Sequence, residues 1–218
     1  MIRVISSYRC GSTIIQLVAH IILYKKVGVI GKIHKDVNPS RFEKVIIPIR
    51  DPRDVALSRR RMLALMGDIK NGPIEDLSFL NNKVIIRQLN LLRSLYVKYK
   101  DRKNVLIVRY EDVYSEGLGK YNKLCKLLAG FLDVELTDEI MQMVESELNY
   151  DKMRGAVEDL GVMESYEEKS YWMRGQHIKS DKVTFWRDEV PPHLLDAFNQ
   201  KLKPYWKKLG YDSTNSVY

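Results

Sequence analysis

A heptapeptide near the start of the chain, "SYRCGST" at residues 7–13, sets an arginine, a glycine and two hydroxyls close together. Apolar residues alternate in "MIRVIS" before it, and an apolar run, "IIQLVAHIILY", follows it. Strand, glycine turn, helix is an arrangement that holds anions, because backbone N–H groups and the helix dipole converge on one spot. Here those N–H groups lie around Gly11, Ser12 and Thr13 add hydroxyl donors, and Arg9 adds a permanently charged fork. The pattern Gly-x4-Gly-Lys-Ser/Thr occurs nowhere, so the loop is not laid out for a triphosphate with magnesium. Taken alone, such a loop is equally an ordinary β–α turn.

Three more stretches carry groups of the same kind. In "IRDPRDVALS", Arg50 closes an apolar run and Ser58 lies two turns into the next helix, a pair suited to a second phosphate away from the first. In "VRYED", Tyr110 closes another β-branched run, with Glu111 and Asp112 behind it. In "GKIHKD", Lys32 and His34 stand two residues apart at a third strand end. Histidine, with a reference pKa of roughly 6.5, suits a general base. Asp36 and Glu111 are the other candidate bases, and an isolated histidine is as readily structural.

These groups need elements to hold them, and the hydrophobic periodicity supplies them. "IRVIS", "VGVIGKIH", "KVIIPIR" and "NVLIVRY" read as strands, the last two as fully buried parallel ones. Helices are predicted over 12–26, from Asp51 as N-cap with Pro52 first and Gly67 last, over 79–100, over 116–132, from Thr137 as cap, and over 191–211 with a kink or split at Pro204. Strands alternating with helices predict a three-layer αβα fold with a central parallel sheet. In such sheets ligands bind at the carboxyl ends of the strands, where all four stretches fall.

Composition bounds the function. A chain of 218 residues with 45% hydrophobic residues reads as one domain, 1–218, with a real core. The net charge is +8, and residues 50–61 hold five arginines. A local basic cluster beside a phosphate-type loop points to a small polyanion rather than to nucleic acid; for Arg59, Arg60 and Arg61 a solvated helix face is the rival reading. Gln16, His20, Lys25 and Lys26 break the longest apolar stretch, so no membrane span is expected. Two cysteines, Cys10 and Cys125, make no disulfide framework, and no signal-peptide layout is seen, so a cytoplasmic location is expected. Cys10, near a helix start and Arg9, is expected to have thiolate character. His20, His177 and His193 lack partners at ligand spacing, so no metal site is expected.

Taken together the motifs resemble the sulfotransferase family, which uses 3′-phosphoadenosine-5′-phosphosulfate (PAPS) as donor. "SYRCGST" looks like its 5′-phosphosulfate loop, "IRDPRDVALS" like its 3′-phosphate motif with the arginine-to-serine spacing matched, and "RYED" like its Tyr-Glu-Asp strand end. "NYDKM", "KSDKVTFWRDEV" and the terminal "LKPYWKKLGY" extend the likeness over nearly the whole chain. The resemblance implies a P-loop-NTPase-like sulfotransferase fold and sulfuryl transfer from PAPS to a hydroxyl or amine of a small-molecule or carbohydrate acceptor. The product nucleotide would be 3′-phosphoadenosine-5′-phosphate (PAP), with no metal, membrane or nucleic acid involved. It leaves the oligomeric state open, a homodimer included. It implies that Arg9, Cys10, Gly11, Ser12, Thr13 and Ile14 form the donor loop and that Arg50 and Ser58 hold the 3′-phosphate. Tyr110 and Tyr150 become candidates for the adenine, Lys179, Ser180 and Lys182 the late 3′-phosphate segment, and His34 the base, assisted by Lys32 and by Arg9 at the bridging oxygen.

The sequence departs from the family pattern at Cys10, where serine is usual, at Ile14, where a tryptophan often stands, and at Asp181 and Thr184, which replace glycines. The rival readings are a P-loop kinase or NTPase and a catalytically degenerate sulfotransferase-like binding protein.

Overall fold

The structure, a computed structural model, describes residues 2–23, 30–38, 40, 43–113, 121–149, 165–166, 173–174 and 185–212. Four parallel strands form the main sheet: β1 (Ile2–Ile5), β2 (Ile30–Ile33), β3 (Lys44–Ile49) and β4 (Val105–Arg109), in the order β2-β1-β3-β4. Two-residue strands β5 (Ser165–Tyr166) and β6 (Met173–Arg174) pair antiparallel apart from it.

The strands are apolar on both faces because both are covered. Successive residues point to opposite sides. Val4, Ile46 and Val108 therefore pack with α1 (Ser12–Ile22), α5 (Asn122–Leu132) and α6 (Asp138–Glu147). Ile5, Val45, Ile47 and Ile49 pack with α2 (Pro52–Leu65), α3 (Lys83–Tyr99) and α8 (Leu195–Trp206). That is the expected αβα layering. The short helices α4 (Tyr110–Val113) and α7 (Trp186–Glu189), with 3-10 turns at Ser78–Asn81 and Pro192–Leu194, complete the described elements.

The caps fall where side chains can satisfy orphan N–H groups. Asp51 accepts from the Arg53 N–H, Asn82 from Val84 and Thr137 from Ile140. Three expectations are corrected. The first helix ends at Ile22 with Leu23 as its C-cap, and 24–26 of the predicted span lie outside the described residues. Tyr110 opens α4 rather than ending β4, since the ladder to β3 stops at Arg109. Pro204 does not split the last helix, which runs on to Trp206; the proline lies in its final turn, where the hydrogen bond it forfeits matters least.

Strand order decides where the site is. The chain goes from β1 to β2 on one side, then returns past β1 to β3 on the other. The crevice at the carboxyl ends of β1 and β3 is the point where the order reverses.

Candidate active site

The loop after β1 is shaped by its backbone. Arg9 has φ 69° and Gly11 φ 75°, with Cys10 between them on the ordinary side. Such alternation turns successive N–H groups to one side and makes an anion-sized concavity. Gly11 is the N-cap of α1 and offers no side-chain acceptor, so the first-turn N–H groups stay available to an outside anion. Only glycine fits there: a Cβ on Gly11 would lie 2.4 Å from Cδ2 of Tyr110. The loop is also pinned from below. Ser7 Oγ donates to the Gln88 carbonyl at 2.9 Å, and Gln88 Nε2 donates to the Tyr8 carbonyl at 2.6 Å.

The two phosphate-type motifs meet. Arg9 Nε donates to Ser58 Oγ at 2.7 Å, so the first loop and α2 share one guanidinium. Arg9 Nη1 is buried and has no hydrogen-bond partner among the described residues. Burial, then the charges of Arg50, Arg61 and Arg59, pull the Arg9 pKa down to about 10. A buried guanidinium donor left open beside other cations is costly unless an anion meets it. Arg50 is held between aromatic rings, 4.6 Å from the centroid of Tyr110 and 5.2 Å from that of Phe185.

The other charges of "RDPRD" are structural. Arg53 is fully buried; it grips Asp51 through Nε and Nη2, donates to Asn199 Oδ1 and the Asp212 carbonyl, and lies over the rings of Trp186 and Trp206. Asp54 Oδ1 accepts from the N–H groups of Phe185 and Trp186 at 3.1 and 2.9 Å, which fixes the start of α7. The end of β3 and the first two turns of α2 thus bring Arg50 and Ser58 to the crevice while Arg53 and Asp54 tie down the chain's late segment.

His34 lies beside this crevice because β2 pairs with β1 in register, Ile5 opposite Ile33. Its Nδ1 is 2.9 Å from Ser6 Oγ, and the Tyr8 ring stacks on it with centroids 4.2 Å apart. Burial, and next the charge of Lys32, lower its pKa to about 4, so it is neutral at ordinary pH. Lys32 Nζ donates to Thr13 Oγ1 at 3.2 Å and so reaches the loop.

The rival bases are already committed. Asp36 accepts from Lys98 and from the Tyr99 hydroxyl. Glu111 is buried and accepts from the Asp51 N–H and the Tyr211 hydroxyl. The expectation for Cys10 is corrected too: it is wholly buried in the core, and burial pushes its thiol up to about 12, so it has no thiolate character. The side chain of Ile14 packs against the core of the α1 face. Tyr110 is a buried wall for Gly11 and a platform for Arg50. Tyr150, Lys179, Ser180 and Lys182 lie outside the described residues. Among the described residues no cluster of His, Cys, Asp or Glu could hold a metal ion, and no helix is long and apolar enough to cross a membrane.

Ser6, Tyr8, Gln88 and Phe185 escaped the motif reading. Ser6 and Tyr8 flank the loop and had a positional signal; Gln88 and Phe185 are ordinary residues until folding brings them in.

The model of the sulfotransferase domain matches residues 37–210. The chain belongs to the sulfotransferase family. The match includes Arg50, Ser58 and Tyr110 and begins after the first loop and His34. A curated relative, luciferin sulfotransferase of Photinus pyralis, is 25% identical over 188 residues, 83% of this chain and 48% of its own length. The chain thus spans about half the length of that relative. Among solved structures, retinol dehydratase in complex with retinol and PAP has a TM-score of 0.68 at 19% identity, covering 94% of this chain and 81% of that one. The same enzyme with androsterone and the inactive cofactor PAP gives 0.67 at 19% identity, with 94% and 80% covered. A mouse sulfotransferase, SULT7A1, complexed with PAP, gives 0.64 at 16% identity, with 94% and 84% covered. These likenesses establish the P-loop-like sulfotransferase fold, and in it the two phosphate-type motifs of this chain come together at the ends of β1 and β3.

Proposed function

We propose that this chain, as a single domain, transfers a sulfuryl group from PAPS to a hydroxyl or amine of a small acceptor. The observation that carries the reading is the convergence of Arg9, Arg50 and Ser58, with Arg9 part-buried, bonded to Ser58 and its buried Nη1 without a hydrogen-bond partner among the described residues. A ligand with two separated anionic groups fits that pattern; one phosphate would not need both motifs. The names of the solved relatives, crystallised with PAP, support the same nucleotide.

The N–H groups around Gly11, with Ser12 and Thr13, would hold the 5′ end, and Arg50 and Ser58 the 3′-phosphate. Tyr110 serves as the platform beneath Arg50 rather than as an adenine stack. When bound, PAPS supplies the sulfuryl group: its bond to the bridging oxygen breaks as the bond to the acceptor oxygen or nitrogen forms, and PAP leaves. Arg9 and Lys32 oppose the negative charge that grows at the loop during that exchange. His34 takes the acceptor's proton on Nε2. Its Nδ1 lies 2.9 Å from Ser6 Oγ; with Nδ1 donating to that hydroxyl, the Nε2 lone pair is left for the acceptor.

Calorimetry with PAP and with ATP, followed by sulfuryl transfer from PAPS in an acceptor screen without added metal, tests the reading. Binding of PAP well above ATP and product formation support it. Equal affinity for both nucleotides, or magnesium-dependent ATP turnover, returns the chain to the kinase reading. PAP binding with no transfer to any acceptor leaves a binding protein.

A further inference from the structure

Three consecutive arginines follow Ser58, and folding gives them different duties. Arg60 donates to the carbonyls of Gly72 and Pro73 and closes the loop after α2. Arg61 pairs with Glu189 and lies over Phe185, joining α2 to α7. Arg59 has no such assignment. Its Nε is buried without a hydrogen-bond partner among the described residues. Its guanidinium sits 5.8 Å from the centre of the Tyr8 ring. The one carboxylate whose charge reaches it is Asp68, which is exposed and makes no ion pair with it among the described residues.

Tyr8 links this cation to the reacting centre. Its backbone is fixed by Gln88, its ring stacks on His34 at 4.2 Å, and the ring remains 48% exposed. Base and guanidinium therefore both lie against Tyr8, 4.2 and 5.8 Å from its ring centre. The exposed part of a fixed aromatic side chain takes a flat ligand, and a half-buried guanidinium with a spare donor takes a carboxylate or sulfonate through charge-assisted bonds.

We propose that the acceptor is a small hydroxylated, ring-bearing anion, whose carboxylate or sulfonate is bound by Arg59 while its hydroxyl meets His34 and its ring lies on Tyr8. The proposal rests on the sulfotransferase reading above and narrows it to a substrate class. The burial that lowers the pKa of Arg59 is consistent with a charge kept for a ligand: its neighbours only partly offset the lost water.

A matched pair of probes tests it: 4-hydroxyphenylacetate, and the neutral 4-hydroxyphenylacetamide of nearly the same shape. Their binding to the protein–PAP complex is measured by calorimetry, for the wild type, Arg59→Gln and Arg59→Lys. The acid should bind about tenfold or more tightly than the amide, the scale of one charge-assisted contact. Arg59→Gln should erase that preference, Arg59→Lys should keep part of it, and the affinity for PAP alone should stay within about twofold. Two results overturn the proposal: acid and amide binding alike to the wild type, or Arg59→Gln weakening PAP, which would assign Arg59 to the donor. Wild type that binds PAP but neither phenol overturns it too, and leaves the donor reading standing. If PAP is not bound at all, the donor reading falls; the acid-over-amide preference and its loss in Arg59→Gln are then read on the nucleotide-free protein, where their absence refutes the proposal by itself.

Discussion

Gly11→Ala probes the loop at its tightest point. Two separable costs follow from the geometry. The backbone stands at φ 75°, where an L side chain costs roughly 1–2 kcal/mol. The new methyl would also lie 2.4 and 2.8 Å from Cδ2 and Cε2 of Tyr110, a buried ring whose displacement is an overpacking cost of roughly 1–3 kcal/mol. Together they give about 2–5 kcal/mol, a fall in Tm of roughly 4–20 °C for a chain of this size. Gly67→Ala is the control: its φ is 79°, yet nothing lies within 4 Å of its added Cβ, so it bears the backbone cost alone. Because Tyr110 carries Arg50, moving the ring should weaken PAP by about tenfold as well, while Gly67→Ala should not. Calorimetric melting and PAP titration of both variants, and of Gly11→Ala in a Tyr110→Ala background, separate the terms as a double-mutant cycle. The truncated ring should make Gly11→Ala no worse than Gly67→Ala. If Gly11→Ala is already as mild as Gly67→Ala with Tyr110 intact, and binds PAP normally, the packing of Tyr110 on the loop is not what this account says it is.

Arg50→Ala should weaken PAP about 10- to 100-fold, the worth of a charge-assisted contact of roughly 1.5–3 kcal/mol, while adenosine-5′-phosphosulfate, which lacks the 3′-phosphate, should lose little; equal losses in two titrations would move Arg50 off that phosphate. His34→Ala should lower turnover by roughly 10²–10⁴-fold with PAP affinity unchanged, and if turnover persists the base lies elsewhere. Since burial and Lys32 hold His34 near pKa 4, its NMR titration and the acidic limb of the rate profile should fall toward pH 4 and not near 6.5. Between those values the unfolded chain binds a proton that the native one does not, so His34's contribution to stability should shrink as pH drops through this window, and urea melts of His34→Gln should lack that component. Arg53→Met should destabilise by about 3–5 kcal/mol in urea, because it strands the buried Asp51 carboxylate; a loss under about 1 kcal/mol would deny Arg53 its structural role.

By itself the sequence determined the layered α/β class and put the two phosphate-type motifs at strand ends. Those are local matters. Alternating apolar residues, Asp51 and Pro52 at a helix start, and a glycine between strand and helix act within a few residues of one another, so their meaning survives without the fold. The sequence also showed a run of charges, Arg50 to Arg61, with nothing to tell its members apart. Only the tertiary structure sorted them, because a guanidinium's role depends on what folds against it. Arg53 met Asp51, Asn199 and two tryptophans and became core. Arg61 met Glu189. Arg50 was set between Tyr110 and Phe185 to face the crevice, and Arg59 was left beside Tyr8. The same holds for Cys10, reactive by its neighbours in sequence and inert by its burial, and for Asp36 and Glu111, acids that partners distant in the chain had already claimed. Strand order, which no local pattern records, made the ends of β1 and β3 the crevice and laid His34 beside Ser6. Burial and charge pairing are properties of contacts between distant segments, and those contacts exist only once the sheet has formed.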